Sequence, residues 1–154
     1  DELCERLFFL LTHKHAQTKH QCDELTDDEL VCFRDIKPGS THHYLVITRT
    51  HIDSCKHLQA DDIPLVERMV EMGKSVLEKK KVSDLDDVRL GFHLPPLLSV
   101  PHLHLHALAP ASTMKLKSQL RYGPQSYWFI TVSHIFRKTV HIHVYLFVCV
   151  YKVD

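Results

Sequence analysis

Three histidines alternate with apolar residues in Pro101-His102-Leu103-His104-Leu105-His106-Ala107-Leu108-Ala109-Pro110. Successive side chains of a β-strand point to opposite faces, so a strand here places His102, His104 and His106 on one face and Leu103, Leu105 and Ala107 on the other. One face is packed and the other is chemically equipped. At a rise of about 3.3 Å per residue the outer two histidines lie roughly 13 Å apart, too far for all three to hold one ion. Two of them, at i and i+2, could share a zinc, since neutral imidazole is the commonest metal ligand. A solvated histidine-rich strand is a second reading. A central nucleophile flanked by polar neighbours is the third, and it is the one favoured.

The rest of the chain must position that face. Residues 30–34 read as a strand, 35–41 as a turn around Pro38-Gly39, and 43–48 as the hairpin partner. Ile63, Val66, Val70, Gly73 and Leu77 recur at spacings of three and four, which predicts a helix over 62–81. Asp61 or Asp62 can cap its start, and Lys79-Lys80-Lys81 stand where the helix dipole favours cations. Val88, Leu90 and Phe92 alternate with Arg89, Gly91 and His93, so 88–93 is a strand. Pro95 and Pro96 then stiffen the connection into the triad strand. Antiparallel pairing of the two would bring His93 and Ser99 to the histidine face. Residues 114–120 suit a short helix or an irregular cover, 127–130 a strand or packed segment, and 132–140 a last helix.

Composition sets looser limits. A chain of 154 residues, 44% hydrophobic and 25% charged, is enough for one domain with a real core. With 19 basic and 19 acidic residues the formal net charge is zero, so no overall field draws it to a nucleic-acid backbone. Five cysteines, at positions 4, 22, 32, 55 and 149, are scattered and form no C-x-x-C pair. This pattern points to reduced thiols and a cytoplasmic or nuclear location. Leu7-Phe8-Phe9-Leu10-Leu11 is too short to span a membrane and lacks the basic lead of a signal peptide. His13, His15 and His20 with Cys4 and Cys22 fit no common metal spacing. Residues 140–151 are apolar and β-prone but about half the length of a membrane helix, so they are expected to pair with a sheet edge or bury in a partner. His141 and His143 within them are not taken as metal ligands.

His102-Leu103-His104-Leu105-His106-Ala107-Leu108 resembles the His-φ-His-φ-His-φ-φ signature of the histidine triad superfamily of nucleotide hydrolases and transferases, where φ is apolar. Asp35-Ile36-Lys37-Pro38, then Thr41-His42-His43-Tyr44-Leu45-Val46-Ile47, then His51-Ile52, are similar to the Hint-branch segment that forms the nucleoside pocket. Arg89-Leu90-Gly91-Phe92-His93-Leu94-Pro95-Pro96, Ser99 and Ser126-Tyr127-Trp128-Phe129 resemble the type 3 members of that branch. The likeness covers residues 29–137, between an atypical N-terminal segment, 1–28, and an atypical apolar tail, 138–154. It implies an α+β, HIT-like fold: an antiparallel sheet of about five strands, one long helix and short flanking helices.

The resemblance also assigns roles. Phe33 and Ile36 would line the base pocket, and Asp35 would accept hydrogen bonds from the ribose hydroxyls, a diol being well matched to a carboxylate; the plainer alternative for Asp35 is an Asx turn. His43 would support the triad, or is a half-buried strand histidine. His93 stands where the usual Hint pattern has asparagine, as in type 3 and aprataxin-like members, and can donate to a phosphate oxygen. Ser99 matches the serine that donates to the leaving group. His104 would attack the α-phosphorus to form a nucleotidyl-histidine, its other ring nitrogen donating to a backbone carbonyl, and an imidazole with an unperturbed pKa of about 6.5 is competent for this at neutral pH. His102 and His106 would hydrogen-bond the phosphate oxygens, and water would then release the monophosphate. The scheme needs no metal or cofactor.

The implied substrates are purine nucleoside phosphoramidates and acyl-adenylates, which makes the chain an adenosine 5'-monophosphoramidase. One rival is an aprataxin-like DNA deadenylase, for which a basic zinc-binding extension is expected where this sequence turns apolar. The other is a nucleotide-binding or scaffolding module with negligible turnover. A homodimer with Tyr127, Trp128 and Phe129 near the partner is implied; a membrane or nucleic-acid partner is not.

Overall fold

The computed structural model describes residues 25–96 and 100–137. The expected hairpin forms from β2 (Leu30–Arg34) and β3 (His42–Thr48), in antiparallel register from Leu30↔Thr48 to Arg34↔Tyr44. In the turn between them the Lys37 amide donates to Asp35 Oδ1 at 2.8 Å, an Asx turn, and the Asp35 amide donates to the His43 carbonyl at 2.8 Å. Glycine is needed at position 39 because an added Cβ would lie 2.7 Å from Tyr122 Cε2.

β5 (His104–Ala109) pairs with β3 on one side and with β4 (Arg89–His93) on the other. The edges are β1 (Leu25–Thr26) and β6 (Phe129–Thr131), giving the order β1-β2-β3-β5-β4-β6, all neighbours antiparallel. Among the described residues the sheet thus has six strands, in keeping with the about five expected. β1 is the extra one, and two residues are too few to display a period of two in the sequence.

α1 (Ile63–Lys79) lies on one face of the sheet. Val66, Met69, Gly73, Val76 and Leu77 are its buried positions, the three-and-four spacing read from the sequence. A Cβ on Gly73 would come within 3.3 Å of Ala107 Cβ, so the missing side chain lets helix and sheet approach closely. The cap differs from expectation. Asp62 is the N-cap residue but gives α1 no side-chain hydrogen bond; its Oδ2 accepts from the Gln59 amide at 2.8 Å, closing a preceding 3-10 turn. α2 (Leu116–Tyr122) starts two residues later than the sequence suggests, and residues 132–137 are helical.

Strand alternation sorts the core into two layers. Leu30, Cys32, Tyr44, Val46, Phe92, Leu105 and Ala107 meet α1 on one face. Val31, Phe33, Leu45 and Ile47 cluster on the other, as do Leu108, Tyr122 and Phe129. His104 and His106 belong to this second face, opposite Ile47 and Leu45 in the register. Among the described residues no helix is long and apolar enough to cross a membrane. Leu7 to Leu11, the histidines at 13, 15 and 20, the cysteines at 4, 22 and 149, and the apolar tail lie outside the described residues.

Candidate active site

Position 102 does not begin the triad strand. Pro101 has no amide to donate, and the His102 amide turns back onto the Val100 carbonyl at 2.9 Å, so regular pairing starts only at His104. His102 is therefore held separately: its Nε2 donates to the Thr48 carbonyl at 2.6 Å, and its Nδ1 lies 3.3 Å from Nδ1 of His51. His51 in turn pairs through Nε2 with Asp53 at 2.7 Å. The His102 carbonyl accepts from His104 Nδ1 at 2.6 Å. With its proton on Nδ1, the neutral His104 ring carries its lone pair on Nε2, which has no hydrogen-bond partner among the described residues.

His106 stands at the centre of a chain of rings. Its Nδ1 is 2.9 Å from His43 Nε2, and its Nε2 is 2.9 Å from His93 Nδ1. Strand order makes this possible, because β5 runs between the strands that carry His43 and His93. The Gly39 amide donates to His43 Nδ1 at 3.0 Å, and Asp35 Oδ2 is 3.5 Å from His43 Nε2. Both nitrogens of His106 are thus occupied within the protein, whereas the sequence reading had them facing phosphate oxygens.

The histidine face is dry, not solvated. His102 is 0% exposed, His104 5% and His106 4%. Burial penalises the imidazolium form. It holds His43 and His93 down at about 4, Arg121 adding to the effect at both and Asp35 opposing it. His102 and His104 are lowered for the same first reason, and His106 lies well below 6.5. All five rings are therefore neutral at pH 7. An unprotonated His104 is the form a nucleophile requires.

Of the expected nucleoside pocket, Phe33 is buried with Val31, Leu45 and Ile47, while Ile36 is 46% exposed. Asp35 keeps Oδ2 near His43 while Oδ1 serves the turn. Ser99 lies outside the described residues. Two cavities, of about 320 and 440 Å³, lie away from the triad. The first is lined by Cys55, Ile63, Val66 and Phe136, the second by Arg89, Met114, Leu116 and Leu120. Ring nitrogens of His93, His104 and His106 fall within 4.8 Å of one another, as do ligand atoms of Asp35, His43 and His106. Either group would bind a metal only by giving up a ring contact of His106.

A family model described as scavenger mRNA decapping enzyme C-term binding matches residues 10–122. Adenosine 5'-monophosphoramidase HINT3 of Xenopus tropicalis is 53% identical over 110 residues, which is 71% of this chain and 72% of that protein. The chain belongs to the histidine triad superfamily. The mouse protein of the same name is 49% identical over 112 residues, covering 73% of this chain and 68% of the other. A HIT family hydrolase from Legionella pneumophila Philadelphia 1, solved as a crystal structure, shares the fold with a TM-score of 0.51 and 29% identity, over 55% of this chain and 77% of that one.

Around its signature this histidine triad protein places one residue that sequence reasoning did not single out. Tyr122 from α2 sits with its ring centroid 5.2 Å from that of His43, 5.1 Å from His93 and 5.3 Å from His106. Burial pushes its phenol up to about 12. Phe129, which sequence reasoning set near a dimer partner, packs edge-on against Tyr122 at 5.6 Å between ring centroids and lies 5.4 Å from His93 and 6.1 Å from His106. Gly91 makes room for it, since a Cβ there would lie 2.6 Å from Cε1 and Cζ of the Phe129 ring. The glycine inside an otherwise regular strand was the one available signal of such a close approach.

Proposed function

We propose that this histidine triad protein hydrolyses purine nucleoside phosphoramidates, that is AMP-amine conjugates, and acyl-adenylates through a nucleotidyl-His104 intermediate. The observation that carries the reading is the 2.6 Å hydrogen bond from His104 Nδ1 to the His102 carbonyl, which leaves the Nε2 lone pair for attack. In the first step Nε2 bonds to the α-phosphorus, the P–N or P–O bond to the leaving group breaks, and the leaving group departs with the electron pair, as a carboxylate or as an amine that takes up one proton from solvent. In the second, water attacks the same phosphorus and gives up one proton to solvent, the P–His104 bond breaks with its electron pair returning to Nε2, and AMP leaves.

Ser99 donates a hydrogen bond to the departing amine or carboxylate. Phe33 and Ile36 line the base pocket, and Asp35 accepts from the ribose. His102 aligns the nucleophile through its carbonyl, and the ring's bond to the Thr48 carbonyl anchors that carbonyl's position. His43, His93 and His106 support the phosphate side. The relatives bearing the 5'-monophosphoramidase name support the substrate class. By the same family likeness the protein acts as a homodimer, with the exposed Tyr127 and Trp128 near the partner, and works in the cytoplasm and nucleus.

The test is hydrolysis of an AMP-amine conjugate by wild type and His104→Ala, with acid-quenched samples examined for protein-bound AMP. Wild type is expected to turn over and to trap a covalent adenylyl group; His104→Ala does neither. Equal rates for the two proteins refute the hydrolase, and AMP binding without turnover then favours the binding module. Faster release of AMP from 5'-adenylated nicked DNA than from the amine conjugate favours the deadenylase.

A further inference from the structure

We propose that Arg121 is the residue by which this site selects a 5'-phosphorylated nucleoside over the bare nucleoside, its guanidinium supplying the positive charge that draws the phosphate in. The inference rests on the hydrolase reading for the identity of the ligand, and it adds a residue that lies outside the triad signature.

Arg121 stands in the last turn of α2, one residue before Tyr122. Its Cζ lies 5.5 Å from the centre of the Tyr122 ring, a cation–π contact that holds the guanidinium over that ring. The same ring is 5.2, 5.1 and 5.3 Å from the rings of His43, His93 and His106, so the guanidinium stands no farther than roughly 11 Å from any of the three, about one Debye length. What lies between is an aromatic ring rather than salt water, and buried paths are screened less. Arg121 itself is exposed and makes no ion pair among the described residues.

Charge balance gives the residue its task. A phosphate is an anion, and the rings before it are kept neutral by burial. The acid at this cluster is Asp35, 3.5 Å from His43, and alone it would repel a phosphate. Arg121 is the permanent cation whose charge reaches His43, His93 and His106 alike. Its own part of the chain supplies no acid to cancel it, because residues 88–153 contain neither aspartate nor glutamate. At this range a guanidinium acts through its charge and not through a fitted hydrogen bond, so the effect follows the charge of the ligand and fades with salt. A nucleoside without a phosphate gains nothing from it.

The experiment is isothermal titration calorimetry of the full chain with AMP and with adenosine, in about 50 mM and about 500 mM NaCl. Wild type, Arg121→Gln, Arg121→Lys and Arg121→Glu are compared, and kcat/KM on an AMP-amine conjugate is measured alongside. At the lower salt Arg121→Gln should bind AMP about tenfold more weakly than wild type, with adenosine affinity unchanged. Arg121→Lys should keep the preference for AMP, Arg121→Glu should weaken AMP further, and the higher salt should shrink the wild-type advantage to about threefold or less. The kcat/KM values should fall in the same order. Equal weakening of AMP and adenosine by Arg121→Gln, or an AMP affinity that Arg121→Glu leaves unchanged, overturns the inference. Binding needs no turnover, so an inactive wild type with the charge-dependent preference refutes hydrolysis and leaves the Arg121 assignment standing. An active enzyme whose AMP binding is indifferent to all three substitutions refutes the Arg121 assignment alone.

Discussion

Mild acid should unfold this protein, and the size of the effect follows from the buried rings. His93 is almost wholly enclosed and its imidazole is held at about 4, burial being the main cause and the Arg121 charge the next. In the unfolded chain the same ring titrates near 6.5. A histidine depressed in this way contributes fully above 6.5, where neither state binds the proton. Its contribution is lost as pH falls from 6.5 towards 4, because only the unfolded chain gains the proton. At pH 5 the loss for one such ring is about 2 kcal/mol relative to pH 7.5. His43, at 0% exposed, is also held at about 4, and His102, His104 and His106 move in the same direction. Against a typical domain stability of about 5–15 kcal/mol, two or three such rings decide whether the fold survives at pH 5. Urea unfolding at pH 7.5, 6.5, 5.5 and 5.0 reads this directly through the midpoint. The midpoint should fall steeply below 6.5, and His93→Gln should flatten the curve by about 2 kcal/mol at pH 5. A midpoint that stays level from 7.5 to 5.0 refutes the claim that these histidines are folded neutral.

Three further outcomes are expected. Because burial lowers the His104 imidazole, the acidic limb of kcat/KM for an AMP-amine conjugate should lie below 6.5; a limb at or above 6.5 contradicts a buried neutral nucleophile. Gly91→Ala would bring a Cβ to 2.4 Å from the Ile130 carbonyl oxygen and 2.6 Å from the Phe129 ring, so overpacking should cost about 1–3 kcal/mol, and calorimetry should show Tm falling by about 2–4 °C for each. His102→Ala strips the donor from the Thr48 carbonyl, for a loss of about 1–3 kcal/mol in urea unfolding, yet keeps the backbone carbonyl that orients His104; its kcat should fall far less than that of His104→Ala.

Local period was enough to read much of the fold. Leu103, Leu105 and Ala107 alternating with histidines, the Ile63 to Leu77 spacing and the Pro38-Gly39 turn each express a rule that acts within a few residues, and each element formed there. The signature itself was likewise legible, because a nucleophile and its neighbours on one strand are adjacent in sequence as well as in space. Tertiary structure alone decided what those histidines touch. His43 and His106 are 63 residues apart and His93 and His106 are 13 apart, and they meet because β5 inserts between β3 and β4. No one-dimensional pattern encodes which strand lies beside which, or the register that puts Gly91 opposite His106. The same holds for protonation. An imidazole's charge depends on the water removed from around it, and here that water is excluded by Tyr122, Phe129 and the strands on either side, contributed from distant parts of the chain.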